Sequence, residues 1–214
     1  MTHLTPLLFW DVDTQVDFMD EEGRLYVPGA VEIIPNLEKL TQLAGRIRAP
    51  VVASADDHLL SDPEISESPD FSSTYPPHCI RNTAGAERIS ATQQIWSLEV
   101  GQEPLPAGEL RTALVTPRPL VLVKKNTVDV FANPNTEKIV EILAPQRIVL
   151  YGVALDVCNR FAIEGLLARG YDRLEVITDA TKPIDEEKGA RLLQLWGQSG
   201  VRALTTDALL AESD

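Results

Sequence analysis

Residues 147–170 read RIVLYGVALDVCNRFAIEGLLARG. The stretch opens on an apolar run, Arg147–Val153, passes a tight turn, and continues with helically spaced apolar residues that close on Gly170. Unalternated Val, Ile and Leu runs mark strands buried on both faces, and a strand feeding directly into a helix is half of a parallel βαβ unit. The same alternation recurs along the chain. Strand-like runs lie at Leu7–Val12, Pro50–Ala55, Pro119–Lys124, Arg147–Val153, Leu174–Thr178 and Val201–Thr205. Helix-like segments lie at Ala30–Ala49, where Val31, Ile34, Leu37, Leu40, Leu43 and Ile47 recur at helical spacing, and at Asn135–Leu143, Cys158–Arg169 and Asp185–Gln198. Gly170 and Gly200 fall where two of these helices should stop. The pattern predicts an α/β fold: one doubly wound domain over residues 1–214, with a mainly six-stranded parallel sheet in the order 3-2-1-4-5-6 and helices on both faces. Only Asp56–Arg118 resists, with little periodicity and many Pro, Ser and Gly residues. It reads as a long functional loop.

Composition narrows the function. Thirty-two acidic against nineteen basic residues give a formal charge of -13, which argues against nucleic acid and anionic lipid as partners and fits a small neutral or cationic substrate. Two cysteines, Cys79 and Cys158, do not make a disulfide framework, and a reducing cytoplasm suits them. The opening Met-Thr-His-Leu-Thr-Pro lacks the basic start and apolar core of a signal peptide, and no apolar run reaches membrane-spanning length. The expectation is a cytoplasmic enzyme or binding domain.

In open α/β sheets ligands sit beyond the carboxyl ends of the strands. That rule selects Asp13, Asp56 with His58, Lys125 and Cys158. Cys158 falls at a helix start, where free N–H groups favour a thiolate and can hold an oxyanion. The same placement also suits a small buried hydrophobe. Of three histidines, His58 and His78 have other claims and His3 lies near the terminus. Asp13 is therefore the better base. Strand alternation puts Asp11 and Asp13 on one side, one to act and one to pair or cap. Of Lys124 and Lys125 only one can point inward, where it would stabilise negative charge. Cys79 has no helix start and reads as structural.

Asp56-Asp57-His58, Glu64 and His78 combine carboxylate and imidazole, a donor set that suits Zn, Fe or Mn better than Mg or Ca. Asp57, Asp62, Glu67 and Asp70 crowd the same stretch, so the histidines are better defined than the carboxylate. A solvated acidic loop is the competing reading.

Three motifs together resemble the isochorismatase-like cysteine hydrolases, nicotinamidases in particular. They are Val12-Asp-Thr-Gln-Val-Asp-Phe18, Lys125-Asn-Thr-Val-Asp-Val-Phe131 and Gly152-Val-Ala-Leu-Asp-Val-Cys158, with Tyr75-Pro-Pro-His-Cys79 as a fourth point of similarity. The resemblance implies Asp13 as base, Lys125 rather than Lys124 as its partner, and Cys158 as nucleophile. It also implies an oxyanion hole from the amides of Ala154 and Cys158, and a cis bond before Ala154. Asp56, His58, Glu64 and His78 would hold a divalent transition metal that anchors a pyridine nitrogen. Phe18 and Tyr75 would wall the ring, and a homo-oligomer is compatible. The chain departs from the pattern at Leu155, where Thr is usual, at Tyr75, often Trp, at Glu64, His in some members, and over Ser97–Thr116, which looks peculiar to this chain. Substrate identity is therefore open among nicotinamide, another small amide or carbamoyl compound, and a vinyl ether. A catalytically silent binding protein is a rival from another class.

Overall fold

The computed structural model describes residues 7–213; His3 lies outside them. Seven parallel strands form one sheet: β1 (Leu7–Val12), β2 (Val51–Asp56), β3 (Leu98–Val100), β4 (Leu120–Lys125), β5 (Arg147–Val153), β6 (Leu174–Lys182) and β7 (Arg202–Leu204), in the order β3-β4-β2-β1-β5-β6-β7. The six expected strands keep the expected order, 3-2-1-4-5-6 in their own count. The correction is a seventh, β3, added at the edge beside β4. It is only three residues long, with Glu99 exposed between Leu98 and the buried Val100, too short to leave a periodic signal. The Ser97–Thr116 segment is therefore not structureless: it carries β3 and a helix, α3 (Ala107–Leu114). Pro50 and Pro119 stay just outside β2 and β4, lending only their carbonyls to Phe9 and Val51.

Helices α3, α4 (Thr136–Leu143), α5 (Cys158–Ala168) and α6 (Glu186–Gln198) cover one face, packing on Leu8, Trp10, Val12, Val123 and Leu150. The short α1 (Val16–Met19), α2 (Ala30–Arg46) and α7 (Thr206–Ser213) cover the other, on Phe9, Val149 and Tyr151. Helix α2 turns its buried stripe through Ala30, Ile33, Leu37, Leu40 and Ala44, leaving Val31 and Ile47 exposed, so the stripe is rotated from the one read in the sequence. Gly170 and Gly200 follow α5 and α6 with φ of +83° and +90°, the left-handed conformation that ends helices. Among the described residues no helix is long and apolar enough to cross a membrane.

The sheet centre decides where chemistry can occur. Strand β1 lies between β2 and β5, and register places Val12 opposite both Ser54 and Gly152. A Cβ at Gly152 (φ +101°) would collide with the Val12 carbonyl, so only glycine lets the two strands approach where β5 turns into the loop before α5.

Candidate active site

Register alone sets Asp56 beside Lys125 at the last positions of neighbouring parallel strands. Lys125 is 1% exposed, and its Nζ pairs with Asp13 Oδ2 at 2.9 Å and with Asp56 Oδ1, and reaches Cys158 Sγ at 3.6 Å. Lys124 points the other way, to Glu99 at 3.0 Å. Asp13, Lys125 and Cys158 are thus brought together. Burial pulls the lysine pKa down, but Asp13 and Asp56 outweigh it and hold the amine well above its ordinary value, hence charged.

The sulfur differs from expectation. Burial pushes the Cys158 thiol up; Lys125 pulls it down; Asp13 and Asp56 push it up again, and the net is well above the ordinary value. Burial and the two carboxylates thus oppose the thiolate that Lys125 and the helix start favour, so attack by this sulfur calls for a base in reach.

Asp13 leaves the strand in the left-handed region (φ +49°), which breaks the alternation assumed for Asp11 and Asp13. Asp11 instead pairs with the buried Arg88. Asp13 Oδ1 accepts from Ser54 Oγ at 2.7 Å, a bond no sequence reading assigned. The available signal was a serine inside the otherwise apolar VVASA of a buried strand. Gln15 is a second unassigned residue. Its side chain donates to the Asp56 carbonyl at 2.8 Å and accepts from the Asp56 amide at 2.7 Å, clamping that backbone from both sides.

The turn from β5 to α5 is built around a cis peptide bond between Val153 and Ala154. The Leu155 amide goes to Lys182 O at 2.8 Å, and those of Val157 and Asn159 both go to Ala154 O at 3.1 Å. The amides of Ala154 and Cys158 make no such bond among the described residues, which leaves them free to hold an oxyanion.

Asp56, His58 and His78 are all buried and offer one ligand atom each within 4.8 Å of one another. His78 donates from Nδ1 to Pro76 O at 2.7 Å, turning Nε2 toward Asp56 Oδ2 at 3.4 Å. Neither nitrogen of the fully buried His58 makes a hydrogen bond; Nδ1 faces Asp62 Oδ2 at 3.5 Å, and Nε2, on the Asp56 side, is the nitrogen an ion would take up. Glu64 Oε2 lies 3.9 Å from His58 Nε2 but outside the three-residue group, and its other oxygen accepts from the Val128 amide at 3.2 Å. The two histidine segments are fastened together by His58 N to Cys79 O at 3.1 Å and Arg81 N to His58 O at 2.9 Å. Asp17 accepts from the Cys79 amide at 2.6 Å. Cys79 is buried, its thiol is pushed well above the ordinary value by desolvation first and then by Asp56 and Asp17, and its sulfur donates to the Gly85 carbonyl at 3.8 Å. Phe18 and Tyr75 flank His78, with ring centroids 5.4 and 6.1 Å away, and line a cavity that ends on Cys158.

An α/β sheet of this order with these strand-end residues defines an enzyme-like site of hydrolase type. The family model for the isochorismatase domain matches residues 7–208, and the chain belongs to that family. It is 37% identical over 76 residues to a nicotinamidase/pyrazinamidase of Mycobacterium tuberculosis, a match covering 36% of this chain and 40% of that protein. It is 24% identical over 172 residues to a probable inactive nicotinamidase of Arabidopsis thaliana, covering 79% and 77% of the two chains. The fold matches that of Pyrococcus horikoshii pyrazinamidase in complex with zinc, with a TM-score of 0.67 and 23% identity over 93% of this chain and 98% of that one.

Proposed function

We propose that the chain is a cysteine-dependent amidohydrolase of the nicotinamidase type, converting nicotinamide and water to nicotinate and ammonia through a thioester on Cys158. The observation that carries the reading is the buried meeting of Asp13, Lys125 and Cys158 in front of two free amides. Asp13 takes the thiol proton as the sulfur attacks the carboxamide carbon, so no standing thiolate is needed. The amides of Ala154 and Cys158 hold the oxyanion. Collapse breaks the C–N bond, Asp13 returns the proton, and ammonia leaves. A water that loses its proton to the same carboxylate then cleaves the thioester and releases the acid. Lys125 keeps a positive charge beside the sulfur and both carboxylates throughout.

Asp56, His58 and His78, with Glu64 within reach, fit a divalent Zn, Fe or Mn ion. When bound, such an ion would supply an anchor for a ring nitrogen of the substrate.

Ammonia release from nicotinamide and a panel of small amides, with metal content measured on the same sample, tests the reading. Cys158→Ala abolishes turnover without unfolding the protein; retained activity overturns the nucleophile. Chelation raises KM, and an unchanged KM in metal-stripped enzyme removes the anchor. The similarity to a probable inactive relative keeps a silent binder as the second reading. It predicts no turnover and no preferential alkylation of Cys158 over Cys79.

A further inference from the structure

The cavity in front of Cys158 is narrow and mainly apolar, walled by Phe18, Tyr75, Val128, Val157 and Ile184. A ring amide brought to the thiol would pack against that wall. Phe18, Val27, Val153 and Ala154 are between 1% and 6% exposed and belong to the core, so moving them would disrupt packing. Ile184 is different. Leu25, Tyr75, Val128 and Val157 of the same lining are half-buried, and Ile184, at 47%, is its most exposed residue, so a change of its rotamer gives up the least buried surface.

The backbone carrying Ile184 is fixed. Asp156, 2% exposed in the nucleophile turn, accepts from the Ile184 amide at 2.8 Å through Oδ1, and its Oδ2 faces Lys188 Nζ at 3.4 Å. Thr181 Oγ1 donates to Gly152 O at 2.6 Å and the Leu155 amide to Lys182 O at 2.8 Å, so the end of β6 and the residues just after it are tied to the end of β5 and the turn before Cys158 at three points. Helix α6 backs it closely: a Cβ on Gly189 would lie 2.8 Å from Pro183 Cβ.

We propose that Ile184 is the specificity-determining residue of the pocket mouth, restricting the site to flat, unsubstituted or short carboxamides, and that Asp156 is the positioning residue that holds it there. This rests on the reading of Cys158 as the reactive thiol at the end of that cavity. The test uses two alkylators with the same warhead, iodoacetamide and its N-phenyl derivative, and measures by mass spectrometry the ratio of their rates at Cys158. The ratio does not depend on the true substrate, and it is read on protein shown by circular dichroism to be folded, because an unfolded chain would alkylate Cys158 without discriminating between the two reagents. Ile184→Ala should raise the bulky-to-small ratio about tenfold or more, since each methylene in a fitted pocket discriminates by about 10–200-fold, and Ile184→Phe should lower it. Asp156→Ala should also raise the ratio, while Asp156→Asn, which keeps an acceptor for the Ile184 amide, should stay near wild type. A ratio within about twofold of wild type in Ile184→Ala overturns the proposal while leaving the amidase reading intact. Absence of labelling at Cys158 by either reagent overturns both. If Asp156→Ala does not fold, the two Ile184 variants decide.

Discussion

Replacing Lys125 with methionine keeps the apolar stem and removes the charge that Asp13 and Asp56 share. Two buried carboxylates, 1% and 5% exposed, are then left without a cation. Breaking a buried pair by deleting one partner costs about 3–5 kcal/mol, a large part of a total stability of about 5–15 kcal/mol. With a urea slope of about 2 kcal/mol per molar, the midpoint should fall by about 1.5–2.5 M at pH 7. The pH dependence between about 7 and 5 should also change, since Asp56 contributes no slope to the wild type there. In the wild type, burial raises the Asp56 pKa, but Lys125 and the two histidines more than reverse this and hold it well below the usual carboxylate range. Its stabilisation is therefore present above the unfolded value of about 3.9 and is lost as pH falls through the lowered folded value. In the variant a buried carboxylate without a cation has a raised pKa. The folded state then binds a proton that the unfolded state does not, and stability rises as pH drops from about 7 toward 5. Urea titrations followed by tryptophan fluorescence at both pH values, with EDTA present so that no ion substitutes for the lysine charge, measure this directly. A midpoint loss below about 0.5 M at pH 7, or the same pH trend in both proteins, would refute the reasoning.

Ser54→Ala deletes the 2.7 Å hydrogen bond to Asp13; a bond to a charged group is worth about 1.5–3 kcal/mol, so steady-state kinetics should show kcat falling about tenfold or more with KM little changed, and Ser54→Thr should recover most of it. An unaltered kcat would show that Ser54 does not orient the base. Glu212 closes a ring of alternating charges with Arg202, Glu175 and Arg147, four contacts of 2.6 to 2.7 Å. Its pKa is lowered, by Arg202 first and then Arg147, so its contribution is present above the unfolded value of about 4.3 and disappears as pH falls through the folded one. Glu212→Gln should therefore lose Tm near neutrality and converge with wild type in acid; parallel Tm curves down to about pH 3 would count against this role.

The strand-end residues were legible because parallel strands announce themselves as unbroken apolar runs, and a charged residue terminating such a run has nowhere to go but the carboxyl edge of the sheet. Asp13 and Asp56 were singled out on that logic, whereas Cys158 was singled out by its helix start and Lys125 was preferred to Lys124 only through the family resemblance. The residues that set their geometry were not. Ser54 and Gln15 act through side-chain contacts with partners far away in sequence, and Asp11 pairs with Arg88, 77 positions away, inside a stretch without periodicity. What opposes the thiolate was hidden for a related reason. A helix start is visible in sequence, whereas the depth of burial and the second carboxylate beside the sulfur appear only once three strands are side by side. Strand β3 escaped because three residues at a sheet edge carry too little pattern to separate from loop.

Asp56 joins what look like two separate sites. Its Oδ1 pairs with Lys125, while its Oδ2 lies 3.4 Å from His78 Nε2 and 3.7 Å from His58 Nε2. One carboxylate therefore serves the amine beside the nucleophile and the imidazole cluster that could hold an ion. Its negative charge helps keep Lys125 protonated and helps keep the Cys158 thiol protonated as well. Any cation placed among the imidazoles draws on that same charge, weakening its hold on Lys125 and lessening its push on the sulfur. The aromatic rings lining the cavity sit on the imidazole side of this carboxylate, with Phe18 and Tyr75 both against His78. Groups that would bind the substrate and groups that would cut it are thus coupled through a single buried side chain, itself gripped through its backbone by Gln15. A change at any of these positions should consequently disturb both binding and chemistry, since no packing layer separates the two.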